Sequence, residues 1–265
     1  MLIDTHNHFT YRYARHEWAS AVQQARKAGV AMQVMMPGNT RDFALVSQAA
    51  HELGLSYMLG LHPLGIHEVL PEDQSALARC VKEKWGDPRL IGIGEIGLDR
   101  FMAEPDFEKQ KALFAFELAL AQTYRLPVSV HSRRALSFVL DMARSFPEVR
   151  GVLHAFKGSL EQTRQALDLG WKLGIGGAVT YPGSKAVRAA LVYAPAQAWV
   201  LETDAPDMAP MGRYPRQSSP LDLLSYVQVT AQLKNLSSSS WTQQLLTNTL
   251  EVFPRLAKLP ELALD

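Results

Sequence analysis

The feature that most limits how this chain can fold is an alternation. Short apolar runs, most of them closed by a polar residue or a proline, alternate with longer stretches of helical period along the whole sequence. The apolar runs predict strands at 2–3 and onward into the following polar residues, and at 30–36, 55–61, 89–95, 126–130, 151–153, 171–175 and 198–202. A loop is expected over 9–13. Helices are expected up to Ala28, where Gly29 closes the first, then over 40–53, 71–85, 105–124, 133–146 and 184–193. A Ser159-Leu160-Glu161-Gln162 capping box opens another. Past a polar, proline-rich loop over 205–220 the chain reads as helical to about Phe253, with the serines at 237–240 as break and cap before a last helix. Parallel strands need crossover helices, so this rhythm points to an α/β fold with a parallel sheet. Eight repeats favour closure into a single (β/α)8 TIM barrel over residues 1–265, with an extra C-terminal helix. An open doubly wound sheet is the alternative.

A barrel of this kind places every strand's C-terminal end around one mouth, so the residues at those ends can be considered together. Strand one runs into His6-Asn7-His8, whose imidazoles lie two residues apart and therefore on one side of an extended backbone. Strand three stops at His62, strand four at Glu95, strand five at His131, strand six at His154 and strand eight runs to Asp204. His6, His8, His131, His154, Glu95 and Asp204 are four imidazoles and two carboxylates. That is too many ligands for one tetrahedral ion, and it suits two divalent metals sharing a carboxylate. Gly92-Ile93-Gly94-Glu95-Ile96-Gly97 matches a dinucleotide-binding pattern only formally, because these glycines straddle a strand instead of opening a helix. His16, His51 and His67 have no such placement. His51 reads as a surface histidine, and Cys80 as a small packed residue.

Composition narrows the function further. A net charge of +1 gives no broad nucleic-acid footprint, although a local basic rim remains compatible with it. One cysteine allows no intrachain disulfide, which fits a reducing compartment. No apolar run approaches membrane-spanning length, so no membrane association is expected. With His6 a ligand so close to Met1, a cleaved leader is not expected, and the cytoplasm is the default location.

Four ordered motifs carry a family resemblance. They are Asp4-Thr5-His6-Asn7-His8, Gly94-Glu95-Ile96-Gly97-Leu98-Asp99, Leu126-Pro127-Val128-Ser129-Val130-His131-Ser132-Arg133 and Leu201-Glu202-Thr203-Asp204-Ala205-Pro206. Together they resemble the TatD-family metal-dependent hydrolases, within the wider amidohydrolase-like barrels, from the first strand to about Phe253. Glu202-Thr203-Asp204-Ala205-Pro206-Asp207-Met208 is similar to the family's YjjV-type branch. The resemblance implies that His6, His8, Glu95 and Asp204 hold one metal, with Glu95 bridging to a second held by His131 and His154. It also implies deoxyribonuclease activity of a magnesium-dependent kind. Three positions depart from the family pattern. Asn7 replaces a common Cys, Lys157 stands where Ser or Thr is usual, and Gln217-Ser218-Ser219-Pro220 replaces an Asn-x-Pro element.

The expected chemistry is hydrolysis by water activated on two divalent ions. Imidazole and carboxylate ligands suit Zn, Mn, Co or Ni, whereas Mg prefers an all-oxygen shell. Asp204 would accept the water's proton and return it to the leaving group, with Glu95 as the bridging carboxylate. His62, Arg133 and Lys157 are candidate substrate contacts. Arg133 could equally make a structural ion pair, and Lys157 could be merely solvated. Arg12, Arg15, Arg134, Arg213 and Arg216 fall near the same loops, with Tyr11, Tyr13, Tyr181 and Tyr214 as possible stacking groups for single-stranded DNA or another phosphodiester. A small amide or ester substrate, or a barrel that only binds metal, are the alternatives. No obligate protein partner is evident.

Overall fold

The computed structural model describes residues 1–213 and 216–263. Strands β1 (Leu2–Asn7), β2 (Val30–Met35), β3 (Ser56–Leu59), β4 (Leu90–Asp99), β5 (Val128–Arg133), β6 (Gly151–Leu153), β7 (Lys172–Ile175) and β8 (Trp199–Leu201) form one sheet in sequence order. Each pairs in parallel with the next. The seam between β8 and β1 is drawn together past the ladder. The Asp204 N–H donates to the His6 carbonyl at 2.9 Å, and the His8 N–H to the Ala205 carbonyl at 2.7 Å. Buried Asp4 reinforces that seam, accepting from the Thr203 N–H at 2.8 Å and the Thr203 hydroxyl at 2.6 Å. Burial holds the Asp4 carboxyl up at about 7, against the pull of those hydrogen bonds. The sheet is therefore a barrel, and its seam sets the two histidines of β1 beside Asp204.

Helices α2 (Trp18–Lys27), α3 (Phe43–Leu53), α4 (Pro71–Lys84), α5 (Phe107–Tyr124), α6 (Leu136–Ala143), α7 (Leu160–Asp168) and α8 (Lys185–Tyr193) connect the strands. Helices α9 (Leu223–Lys234) and α10 (Ser238–Val252) follow β8. The capping signals act as read. The Ser159 hydroxyl accepts from the Gln162 N–H while the Gln162 side chain accepts from the Ser159 N–H, and the Ser237 hydroxyl accepts from the Ser240 N–H.

Three local expectations change. Residues 9–12 form a short helix, α1 (Phe9–Arg12), because the His8 carbonyl accepts from both Tyr11 and Arg12. β4 continues past Glu95 to Asp99, since β5 supplies a partner for each added residue, Gly97 opposite His131 among them. Gly97 has φ 128°, and a Cβ there would come within 2.1 Å of the His131 carbonyl oxygen, so only glycine lets the strands approach. Helix α6 begins later than 133, because β5 runs on to Arg133.

Inside the barrel Ile3, Met32, Val34, Met36, Met58, Ile91, Val152 and Val200 fill the space below the mouth. The same cluster continues into Leu246, Val252, Phe253, Leu256, Leu259 and Leu262, which close the base. A larger apolar layer between strands and helices includes Trp171, Trp199, Tyr57 and Phe114. Full burial of a Val, Leu, Ile, Phe or Met side chain in either cluster contributes about 1.5–3 kcal/mol.

Candidate metal centre

At the mouth the apolar filling stops and ionisable groups take over. Glu95, at 2% exposure, stands in the middle and divides the imidazoles between its two oxygens. Its Oε2 lies 3.1 Å from His6 Nε2 and 3.3 Å from His8 Nε2. Its Oε1 lies 3.1 Å from His131 Nδ1 and 3.2 Å from His62 Nε2. Asp204 faces the first group, with Oδ1 3.8 Å from His6 Nε2 and 3.7 Å from His8 Nε2. Its Oδ2 lies 3.5 Å from His154 Nε2. The His154 ring stacks on His6 at 3.7 Å.

All six residues read as metal ligands therefore meet, but their grouping differs from the one the family resemblance implies. His154 clusters with His6 and Glu95, while His131 clusters with Glu95 and His62. The stack on His6 and the contact with Asp204 set His154 on the β1 side.

A second layer orients the rings. His131 Nε2 is 2.8 Å from Asp99 Oδ2, and His6 Nδ1 is 2.8 Å from Ser129 Oγ. His154 Nδ1 lies 2.9 Å from Glu202 Oε1, a close charge contact without the alignment of a hydrogen bond. Glu202 Oε1 also accepts the Ala155 N–H at 2.6 Å. A Cβ on Gly174 would stand 2.4 Å from Glu202 Oε2, so glycine on β7 makes room for this carboxylate. Sequence reasoning missed Asp99, Glu202 and Ser129 as ring partners. The only signal was alternation, since Glu202 lies two residues before Asp204 and Ser129 two before His131.

The electrostatics of the cluster call for added positive charge. Ionised Asp99 only accepts, so the His131 hydrogen sits on Nε2 and a bare Nδ1 lone pair faces Glu95 Oε1. A cation between the two relieves that repulsion, and in its absence a proton does. Burial pushes the His131 imidazole down, yet hydrogen bonds to Asp99 and Glu95 outweigh it and raise it to about 9. Burial likewise opposes charge on His154, but Glu202 and Asp204 hold it well above the usual range. Glu95 and Asp204 are pushed up by burial and pulled below their ordinary values by the imidazoles, chiefly His62 and His6 for Glu95 and His154 for Asp204. His6 goes the other way, lowered by burial and by His154, which leaves it neutral and able to coordinate. Imidazole nitrogens and carboxylate oxygens converging with a carboxylate-backed outer layer fit a divalent metal.

The centre opens into a cavity of about 1230 Å³. Arg100, Arg133, Arg134 and Lys157 line one flank, together with Phe138. Arg133 stacks 3.7 Å from the Phe101 ring and pairs with no carboxylate among the described residues. Burial and the charge of Arg133 lower the Lys157 amine below its usual value. Other rim candidates are engaged elsewhere. Arg12 donates to the Ser218 carbonyl, Arg15 pairs with Glu52 and Arg213 with Asp222. Tyr11 lines the cavity, Tyr13 packs on Phe9, and the Tyr181 hydroxyl donates to the Ala209 carbonyl. Tyr214 lies outside the described residues. His51 is exposed on α3, as read, with its Nε2 2.8 Å from Asp87 Oδ2. Cys80 is half-buried on α4, packed against the core.

Comparison with known proteins finds metal-dependent hydrolases of the same fold. The chain is 33% identical over 253 residues to the uncharacterized metal-dependent hydrolase YjjV of Escherichia coli, covering 95% of this chain and 97% of that protein. The crystal structure of YjjV superimposes with a TM-score of 0.92 at 32% identity, over 96% of this chain and 98% of YjjV. Human deoxyribonuclease TATDN3 is 26% identical over 271 residues, covering 97% of this chain and 96% of that protein. The model of the TatD related DNase family matches residues 3–254, and this chain belongs to that family.

Proposed function

We propose that this protein is a metal-dependent hydrolase that cleaves phosphodiester bonds, with single-stranded DNA as the macromolecular substrate class. The observation that carries the reading is the division of four imidazoles between the two oxygens of Glu95. His6, His8, His131, His154, Glu95 and Asp204 would hold two divalent ions, with His6, His8 and Asp204 gathered toward one oxygen of Glu95 and His131 toward the other. When bound, the ions would supply an acidified water and neutralise charge on the attacked group.

The chain's own residues do the rest. Asp204 is the more open carboxylate, at 14% side-chain exposure against 2% for Glu95, and it lines the cavity. Its carboxylate is ionised, so it can take a proton from the attacking water and return it to the leaving oxygen. Glu95 stays buried, with its two oxygens placed so that it would be shared by the ions. The cations on the β5–β6 flank favour an anionic substrate, since Arg133 and Lys157 repel each other until an anion lies between them. The human relative is named as a deoxyribonuclease, which supports DNA among the phosphodiesters. No helix among the described residues is long and apolar enough to cross a membrane, which is compatible with a cytoplasmic site of action.

The test is a side-by-side assay of single-stranded DNA, bis-p-nitrophenyl phosphate and small amides, using metal-loaded protein and an Asp204→Asn control. The reading expects diester and DNA cleavage that falls on the order of 10³-fold in the variant. Cleavage of amides alone, or diester cleavage untouched by Asp204→Asn, rejects it. Two bound ions with no turnover of any substrate would point to a metal-binding barrel instead.

A further inference from the structure

By position His62 belongs with the metal ligands, since its Nε2 is 3.2 Å from Glu95 Oε1, where His131 Nδ1 is 3.1 Å away. The two rings meet edge to face at 4.9 Å. We infer nevertheless that His62 is a hydrogen-bond donor to the substrate and not a third ligand beside Glu95 and His131. The inference rests on the metal-dependent hydrolase reading and assigns a role to one residue of that site.

What separates the two histidines is the nitrogen turned away from Glu95. His131 turns Nε2 to Asp99, an acceptor, so its hydrogen is outside and its lone pair inside. His62 turns Nδ1 to the Leu64 N–H, which donates to it at 3.1 Å. A ring nitrogen that accepts carries no hydrogen, so the ring's hydrogen is on Nε2, beside Glu95 Oε1 in the cavity lining. That nitrogen has no lone pair to give a metal, but it has a hydrogen to give an oxygen.

The backbone makes this orientation the natural one. His62 caps a short 3-10 turn, Pro63–Gly65, and the Leu64 N–H is one of the donors such a turn leaves free. Pro63 presets the first position of the turn. On the other side, the Leu61 N–H donates to Glu117 Oε1 at 2.8 Å. Glu117 is wholly buried in α5, and burial holds its carboxyl well above the usual carboxylate range. A neutral buried acid and a proline thus pin the peptides flanking His62, and turning the ring round would cost the Leu64 bond. His62 keeps 13% side-chain exposure and lines the cavity. Its Nε2–H can therefore reach a substrate oxygen that gains negative charge as the bond to the leaving group breaks.

The experiment compares wild type, His62→Leu, His62→Gln and His131→Leu by metal content after loading with Zn or Mn, and by turnover of bis-p-nitrophenyl phosphate. His62→Leu is expected to keep the full metal content while kcat falls on the order of 10²-fold. His62→Gln, whose amide can donate from a similar place, should recover about tenfold of that loss. His131→Leu should lose one ion. Nitrogen NMR of the metal-loaded wild type should show His62 with its hydrogen on Nε2 and no metal-coordinated ring nitrogen. Loss of an ion in His62→Leu, or a metal-shifted His62 nitrogen, would overturn the assignment, and so would full activity in His62→Leu. Should the wild type cleave no ester or amide, the hydrolase reading falls, while metal content and the ring spectra still decide whether His62 is a ligand.

Discussion

At the base of the barrel, where the strands begin, Val252, Phe253, Leu256, Leu259 and Leu262 meet Ile3, Met32 and Ile91 in one apolar cluster. At the mouth, strands of the same barrel end in imidazoles and carboxylates, with the imidazoles that face Glu95 and Asp204 standing 3.1–3.8 Å from them. Left-handed φ occurs at both ends. At the base it falls on Gly29, Gly54 and Gly170, which have no Cβ to clash as they lead from helices into β2, β3 and β7, and also on Arg125 between α5 and β5. At the mouth it falls on Gly97 and on Arg134, Ala155, Asp204 and Met208, the last four each carrying a Cβ that opposes it by about 1–3 kcal/mol. The base is built for stability, and the mouth gives stability up to hold charge in place. Substitutions at the two ends should therefore fail in opposite ways.

The largest expected effect is at the mouth. Glu95→Gln should lower kcat/KM by at least about 10³-fold, roughly 4 kcal/mol, because both halves of the site depend on its two oxygens. Steady-state kinetics on the metal-loaded proteins checks it, and a loss smaller than about tenfold would break the contrast.

At the base, Phe253→Ala should cost about 3–5 kcal/mol of unfolding free energy in a denaturant titration, since Phe253 is wholly buried. Turnover per folded molecule should stay within about twofold, measured well below the unfolding transition. A large loss of turnover in the folded protein would mean that base and mouth are coupled.

The outer layer of the mouth gives a smaller effect. Asp99→Asn should weaken metal binding about 10–100-fold, read by competition against a chromophoric chelator, because His131 loses the acceptor that keeps its hydrogen away from the metal. Unchanged affinity would show that Glu95 alone orients the ring.

The smallest concerns Glu117, a mouth-supporting group set in an otherwise apolar environment. Its folded carboxyl is raised by burial, so as pH climbs past the ordinary carboxylate value the unfolded chain ionises first and stability is lost. That loss runs at about 1.4 kcal/mol per pH unit until the folded group ionises too. Glu117→Gln keeps an acceptor for Leu61 and removes the slope. Its stability relative to wild type should grow by about 1 kcal/mol between pH 5 and pH 6, in urea titrations at the two values. A difference that does not vary with pH would mean that the buried acid is already ionised.

Much of this molecule is legible in the sequence because the relevant signals are local. Period and punctuation along the chain mark the strands and helices, and parallel strands joined by helices leave few architectures open. The six ligand candidates are legible for the same reason, since His6, His8, Glu95, His131, His154 and Asp204 each lie on or just past a strand. What only the tertiary structure decides is which atom faces which. Glu95 sorts the imidazoles, His154 stacks on His6 and not beside His131, and β4 runs on to Asp99 because β5 is there to pair with it. Arg12 and Arg15 leave the rim because Ser218 and Glu52, far off along the chain, hold them, and Arg213 because Asp222 in the following loop does. The physical reason is common to all of these. A ring's hydrogen and a side chain's direction depend on the acceptor or donor that folding brings alongside, and that partner is seldom a neighbour in sequence.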